Sequence, residues 1–248
     1  MNKDNKDNTA YVYMFSGVIG KEYEMLKLIC PLATEMSRLV GDAVKQYAAD
    51  QSNSLSVVEL GGGTGITTLS ILLADQNLSV LSVDNAPTMQ SQAQASLKDW
   101  VEQQRLSFCS NDALTVLESL ESESVDLIAS AYTVHNFEQG YRKQVYQQIY
   151  RVLKKGGQFI NGDRYALDDI SEHTHTVQQE IAGYFKVLKE INKLDVLEHW
   201  IIHLFNDESE NHLMRESVAL KHLNAAGFTE IQLTDRMQVN ALVTAKKA

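Results

Sequence analysis

The stretch VVELGGGTGITTLSILL, Val57–Leu73, decides the fold. An apolar pair leads into one acid, three consecutive glycines, a threonine and a fourth glycine, and a helix-like run follows at once. Four of the chain's 13 glycines fall within positions 61–65. A backbone stripped of side chains straight after a buried strand predicts that something approaches it closely. In an open parallel sheet such a turn lies beyond the carboxyl ends of the strands, where ligands bind.

Outward from this unit the pattern alternates. Strands are expected at 55–61, 78–84, 105–110, 124–132 and 158–163. Helices are expected at 65–74, 87–103, 112–119 and 138–153, the last stopped by the KKGG signal. Repeats of this length predict a parallel sheet covered on both faces, with right-handed crossovers. Before it, Ile19 to Ala49 reads as two helices divided at Pro31. After it, 164–227 reads as a helical insertion whose last helix, 212–226, ends at Gly227. Two strands, 229–235 and 239–247, close the chain as an antiparallel hairpin. One domain of 248 residues is expected, with residues 1–10 a disordered tail. That polar start does not resemble a signal peptide, and no apolar run approaches the roughly 18 residues of a membrane span. A cytoplasmic protein is the expectation. The net charge of −10 argues against a broad nucleic-acid surface. Cys30 and Cys109 make neither a disulfide framework nor a metal cluster.

Three ligands commonly use a glycine loop of this kind. A nucleoside triphosphate needs a Lys-Ser or Lys-Thr after the glycines, which is absent. A dinucleotide favours G-x-G-x-x-G; Gly61 and Gly63 fit, and Ile at position 66 weakens that reading but leaves it open. S-adenosylmethionine favours acid-x-G-x-G-x-G, and Glu59, Gly61, Gly63 and Gly65 match every fixed position. Charge agrees: this cofactor carries a sulfonium and an ammonium against one carboxylate, so an acid at the strand end attracts it. Asp84, 19 residues beyond Gly65, ends the second strand and suits ribose hydroxyls, with Asn85 near the adenine edge. Asp112 and Ala113 follow the third strand and suit the adenine amino group and ring; helix N-capping by Asp112 is an equally open reading.

VVELGGGTG, LSVDNAP, SNDAL, VDLIASAYTVHNF and RVLKKGGQFINGD, in this order, resemble the class I, Rossmann-like S-adenosylmethionine-dependent methyltransferases. The resemblance implies an α/β doubly wound seven-stranded sheet in the order 3-2-1-4-5-7-6, strand 7 antiparallel, and an enzyme that transfers methyl groups from S-adenosyl-L-methionine. MFSGVIGKEYEML, TTLSILL, VDNAPTM and LNAAGF are similar to the carboxy-S-adenosylmethionine synthase group, which acts in tRNA wobble-uridine modification. By that similarity Tyr23 contacts the methionyl part of the cofactor, and Gly61, Gly62, Gly63, Asp84, Asn85, Asp112, Ala113 and Ser130 line its pocket. That group binds the extra carboxylate with an arginine on a late helix; KLDVLEHWIIHLF has none. Ordinary methyl transfer is therefore the expectation, with the synthase and a non-catalytic cofactor-binding module as alternatives.

The acceptor is expected beyond the fourth and fifth strands, under the insertion, and to be a small molecule. SAYTVHNF stands where amino-group methylators carry Asn/Asp-Pro-Pro-Tyr. A hydroxyl acceptor needs a base within reach, and His135 and Asp163 are the candidates, with His173 next; Arg164 suits an anionic acceptor. The stripe Val177, Ile181, Phe185 and Leu188 is expected to face the sheet edge, with Tyr184 or Trp200 near the cavity. His199 and His203, or His173 and His175, have metal-compatible spacing but no evident third ligand, so no metal is expected. No membrane partner is expected, and a homodimer is compatible.

Overall fold

The computed structural model describes residues 31–248. Helix α1 (Pro31–Ala49) precedes the alternating units β1 (Leu55–Leu60), α2 (Ile66–Ala74), β2 (Leu78–Val83), α3 (Pro87–Ser96), α4 (Lys98–Glu102), β3 (Leu106–Cys109), α5 (Ala113–Ser119) and β4 (Val125–Ala131). A 3-10 turn (Val134–Asn136), α6 (Gln139–Val152) and β5 (Leu153–Arg164) follow. Then come α7 (Ile170–Glu190), α8 (Leu194–Asp207), α9 (Glu216–Ala226), β6 (Thr229–Met237) and β7 (Asn240–Lys246). The sheet order is β3-β2-β1-β4-β5-β7-β6. Strands β1 to β5 are parallel, as their alternation with helices predicts, and β7 runs antiparallel to both β5 and β6, as the resemblance implies.

The sheet is buried on both faces, which is why its strands read as near-continuous apolar runs. Successive residues point to opposite sides. Val58, Leu60, Ile128 and Phe159 meet Val145, Tyr146 and Ile149 of α6 and Leu223 of α9. Val57, Val80, Leu127 and Ile160 meet Val40 and Val44 of α1 and Ile71 and Leu72 of α2. Each such side chain, fully buried, contributes about 1.5–3 kcal/mol.

Four details differ from the sequence reading. The helix expected at 87–103 breaks at Leu97 into α3 and α4. The last helix of the insertion starts at Glu216. The KKGG run does not cap a helix but lies inside β5. A Cβ on Gly157 would stand 2.8 Å from the Asp126 carbonyl oxygen, so this glycine lets β5 run close beside β4. The register shifts there, from Val125 opposite Leu153 to Leu127 opposite Gln158. Finally, the stripe on α7 packs on α8 rather than on the sheet: Tyr184 and Leu188 join Val196, Leu197, Trp200 and Leu204, with Val177 and Ile181 against them. Phe185 turns outward and is 50% exposed.

Candidate functional site

The glycine loop is held by amides of Gly61 and Gly62 donating to the Val83 carbonyl at 2.7 and 3.2 Å. Gly61, Gly63 and Gly65 have φ of +74°, +54° and +94°, a region side chains disfavour. What approaches this backbone is largely the chain itself. A Cβ on Gly61 would lie 1.9 Å from Thr133 Oγ1, one on Gly62 2.0 Å from Ser82 Oγ, and one on Gly65 2.8 Å from Leu97 Cδ1. Gly63 differs, since its Cβ would meet only Met89 Cε, at 3.5 Å. That is ordinary contact, and it leaves this part of the loop accessible.

Glu59 lies beneath the loop, wholly buried. Its Oε2 accepts from Thr68 Oγ1 at 2.6 Å and Ser82 Oγ at 2.7 Å, while its buried Oε1 has no partner. Burial pushes its carboxyl up to about 7, against the pull of the Ser82 and Thr68 hydroxyls. Asp84, half-buried, accepts from the amides of Gly63 and Ala86, each at 2.7 Å. Burial raises its pKa, and those two amides oppose the rise. The carboxylate thus ties the end of β2 to the glycine loop. Asn85 is half-buried beside it.

Asp112 caps α5, accepting from the Thr115 amide at 3.0 Å, and Tyr141 donates to it at 2.9 Å. Burial pushes its pKa up, but the hydrogen bonds from Thr115 and Tyr141 outweigh this and hold it low. Ala113 is the first residue of that helix. Ser130 is fully buried and donates to the Leu60 carbonyl at 2.9 Å, tying β4 to β1. Tyr23 and Cys30 lie outside the described residues. Cys109 is a half-buried free thiol.

At the ends of β4 and β5 the chain turns sharply. Tyr132 adopts φ +50°, rare for a residue with a ring, and its amide donates to the Gly162 carbonyl. The turn brings His135 over Asp163. His135 Nδ1 lies 2.5 Å from Asp163 Oδ1, and the His135 amide donates to Oδ2 at 3.2 Å. Asn161 Nδ2 and the Arg164 amide also donate to Asp163. Burial pushes the Asp163 pKa up, but the adjacent His135 and these donors outweigh it and hold it low. With no exposure and four donors, Asp163 orients the ring and is not placed to take a proton from an acceptor.

The turn is clamped from α6. Arg142, buried, donates to the carbonyls of Val134, His135, Phe137 and His212 at 2.6–3.0 Å. An arginine is ordinarily exposed; Arg142 enters the interior because four carbonyls receive it.

The insertion contributes the rest. Arg164 makes a double contact with Glu180 of α7, at 2.7 and 3.1 Å, and Tyr184 donates to the same carboxylate at 2.5 Å. Its guanidinium is thereby neutralised from within, not open to an anionic acceptor. His173 Nε2 lies 2.6 Å from Glu208. Asp207 of α8 places Oδ2 3.7 Å from His135 Nε2 and 3.5 Å from His203 Nε2. The metal-compatible spacing of His199 and His203 makes no pair: His199 Nδ1 turns to the Asp195 carbonyl, and His203 faces Asp207, also four residues along the helix. Asp207, Glu180, Glu208 and Arg142 carry no local motif; the four-residue spacing of His203 and Asp207 went unread, though it is a signal that could have found Asp207.

Residues 57–157 match the family described as methyltransferase domain. Carboxy-S-adenosyl-L-methionine synthase of Shewanella woodyi is 22% identical over 221 residues, 87% of this chain and 84% of that protein. An O-methyltransferase family protein from Burkholderia thailandensis superposes with a TM-score of 0.63 at 15% identity, over 87% of this chain and 57% of that one. The CurJ carbon methyltransferase superposes with a TM-score of 0.62 at 16% identity, over 97% of this chain and 58% of that one. The chain thus spans less than two-thirds of either solved structure. No helix among the described residues is long and apolar enough to cross a membrane. The domain match runs from β1 into β5, through the glycine loop and the acids after β2 and β3, and together with the observed sheet order it supports a class I, Rossmann-like S-adenosylmethionine-dependent methyltransferase.

Proposed function

We propose that the protein transfers a methyl group from S-adenosylmethionine to a small-molecule acceptor that meets it beside His135. The observation that carries this reading is the His135–Asp163 pair at the ends of adjacent parallel strands, on the strand-end edge that also bears the glycine loop. The loop residues fit a cationic ligand: Gly63 is accessible, Asp84 is anionic beside it, and Glu59 keeps one unpartnered oxygen beneath. Gly61, Gly62, Gly63, Asp84 and Asn85 would hold the cofactor, with Asp112 and Ala113 at its adenine end. Bound there, S-adenosylmethionine supplies a methyl already activated by its sulfonium.

The protein's share is then positioning and exclusion of water. Asp163 fixes the His135 ring, Arg142 fixes the turn that carries it, and Asp207 and Glu180 bring α7 and α8 against the same edge. The acidic net charge supports a small acceptor over a nucleic acid.

Incubation with isotopically labelled methyl donor and a metabolite extract tests the reading. Wild-type protein should label a small molecule. His135→Ala should lower turnover while cofactor affinity stays within about tenfold, roughly 1.4 kcal/mol. Absence of transfer to any extract, with the cofactor still bound, would favour a binding module instead. The synthase relative supports a second reading, in which the carboxylated cofactor is retained on purification and visible by mass spectrometry. The lack of an arginine in α8 weighs against it.

A further inference from the structure

We propose that His135, His203 and Asp207 form a binding site for a first-row divalent cation, zinc being the species that best suits their donors. The three side chains come from two elements, the 3-10 turn after β4 and helix α8, and are only 5%, 5% and 7% exposed. One ligand atom from each lies within 4.8 Å of the others. The two measured separations, 3.7 Å from His135 Nε2 and 3.5 Å from His203 Nε2 to Asp207 Oδ2, are too long for hydrogen bonds. They are close to the edge of a tetrahedron around zinc, about 3.4 Å for metal–ligand bonds near 2.1 Å.

A second observation points to a ligand here. Asp207 Oδ1 is buried with no hydrogen-bond partner. A buried carboxylate left in that state is costly, and a cation seated between it and the two rings would relieve the cost. Arg164 lies in the same cleft, but its guanidinium is engaged by Glu180 and reaches Glu208 at 3.4 Å.

The surroundings are those a metal site needs. Asp163 accepts at His135 Nδ1, which directs the lone pair of Nε2 toward Asp207, and this carboxylate–histidine–metal relay is a common outer support. His203 and Asp207 are one turn apart on α8, so one helix face presents both. Arg142 holds the turn that presents His135. Three protein ligands leave a fourth position, facing the cleft that His173, Glu208 and Met214 also line. If the methyl-transfer reading holds, a hydroxyl acceptor bound at that position would be ionised by the cation rather than by the ring. The metal site itself does not rest on that reading.

The experiment measures metal alone. Tag-free protein, stripped with a chelator, is titrated with cobalt(II) and followed by its visible ligand-field bands, then challenged with zinc. Saturable uptake of one ion per chain, displaced by zinc, is expected. His203→Ala and Asp207→Asn should each weaken binding at least 100-fold, while His199→Ala should bind as wild type. X-ray absorption of zinc-loaded wild type should count two imidazoles, a readout that requires no variant to fold. No saturable uptake by wild type, binding retained in His203→Ala, or a zinc environment without imidazole would each overturn the site. S-adenosylmethionine affinity, measured in parallel by calorimetry, separates this failure from failure of the methyl-transfer reading.

Discussion

Replacing Glu59 with glutamine should remove a specific part of the protein's pH dependence. The carboxyl is wholly buried, accepts two hydroxyl hydrogen bonds and keeps one oxygen unpartnered. Burial lifts its pKa from the ordinary 4.5 to about 7. Between those values the folded protein holds a proton on Glu59 that the unfolded chain has already released, so rising pH favours unfolding. Below 4.5 both states are protonated and above 7 both are ionised, so the contribution is flat outside this window. Across it, the shift corresponds to a loss of about 3 kcal/mol. Glu59→Gln has no proton to lose there. Its amide also changes the local hydrogen bonding, but that adds an offset that does not vary with pH. Urea unfolding of both proteins at pH 4.5 and 7.5 gives the test, because every other titrating group cancels in the difference. The stability of wild type relative to the variant should fall by about 3 kcal/mol over that range, with similar m values. Parallel curves would refute the assignment. The same group should make cofactor binding pH-linked: a cation above the loop favours the ionised carboxyl, so binding near pH 7 should release a proton. Calorimetric heats should then depend on the buffer in wild type and lose that dependence in the variant.

Asp84→Ala should weaken S-adenosylmethionine binding about 10- to 150-fold, some 1.5–3 kcal/mol, by removing a part-buried acceptor; unchanged calorimetric affinity would exclude it from the cofactor site. Gly61→Ala should destabilise by about 2 kcal/mol or more, through its φ of +74° and the clash with Thr133. Thr133→Ala in the same chain should recover part of that loss, whereas simple additivity of the two changes would rule out the contact. Trp200→Ala should cost about 3–5 kcal/mol in unfolding experiments, because the ring sits among Tyr184, Leu188 and Leu204 between α7 and α8. A cost under about 1 kcal/mol would show that this packing is not held in solution.

The alternation of strands and helices was legible because strands covered on both faces leave an apolar signature that repeats with the helices between them; the strand order followed from the family resemblance. The loop was legible as tight, but not by what: Thr133, Ser82 and Leu97 are 20 to 72 residues away in sequence and carry no local mark of that contact. KKGG misled for a related reason, since a glycine just past a helix and one that lets two strands approach look alike before the neighbour is known. His135 and Asp163 could be named because one follows β4 and the other stands near the end of β5, at the edge where ligands bind in such sheets. Their alignment depends on Tyr132 entering a left-handed turn and on Arg142, neither of which announces itself. The stripe on α7 was readable as apolar, but whether it met the sheet or α8 was a question of three-dimensional pairing.

Arg142 also sets how the insertion can move. It joins the His135 turn to the His212 carbonyl, and nearby the Gln139 amide donates to Asn211. The two ends of the insertion are bonded to each other as well, through Ala166 to Met214 and Glu216 to Ala166. The root of the α7–α8 hairpin is therefore fastened on both sides, whereas its far turn, with Ile191 and Leu194 at 44% and 57% exposure, is comparatively unconstrained. A displacement that admits a substrate would be a pivot about Met214, with its largest sweep at Ile191 and its smallest at His135. Spin labels near residue 191 would report that swing, while labels near residue 214 would register the axle and remain still.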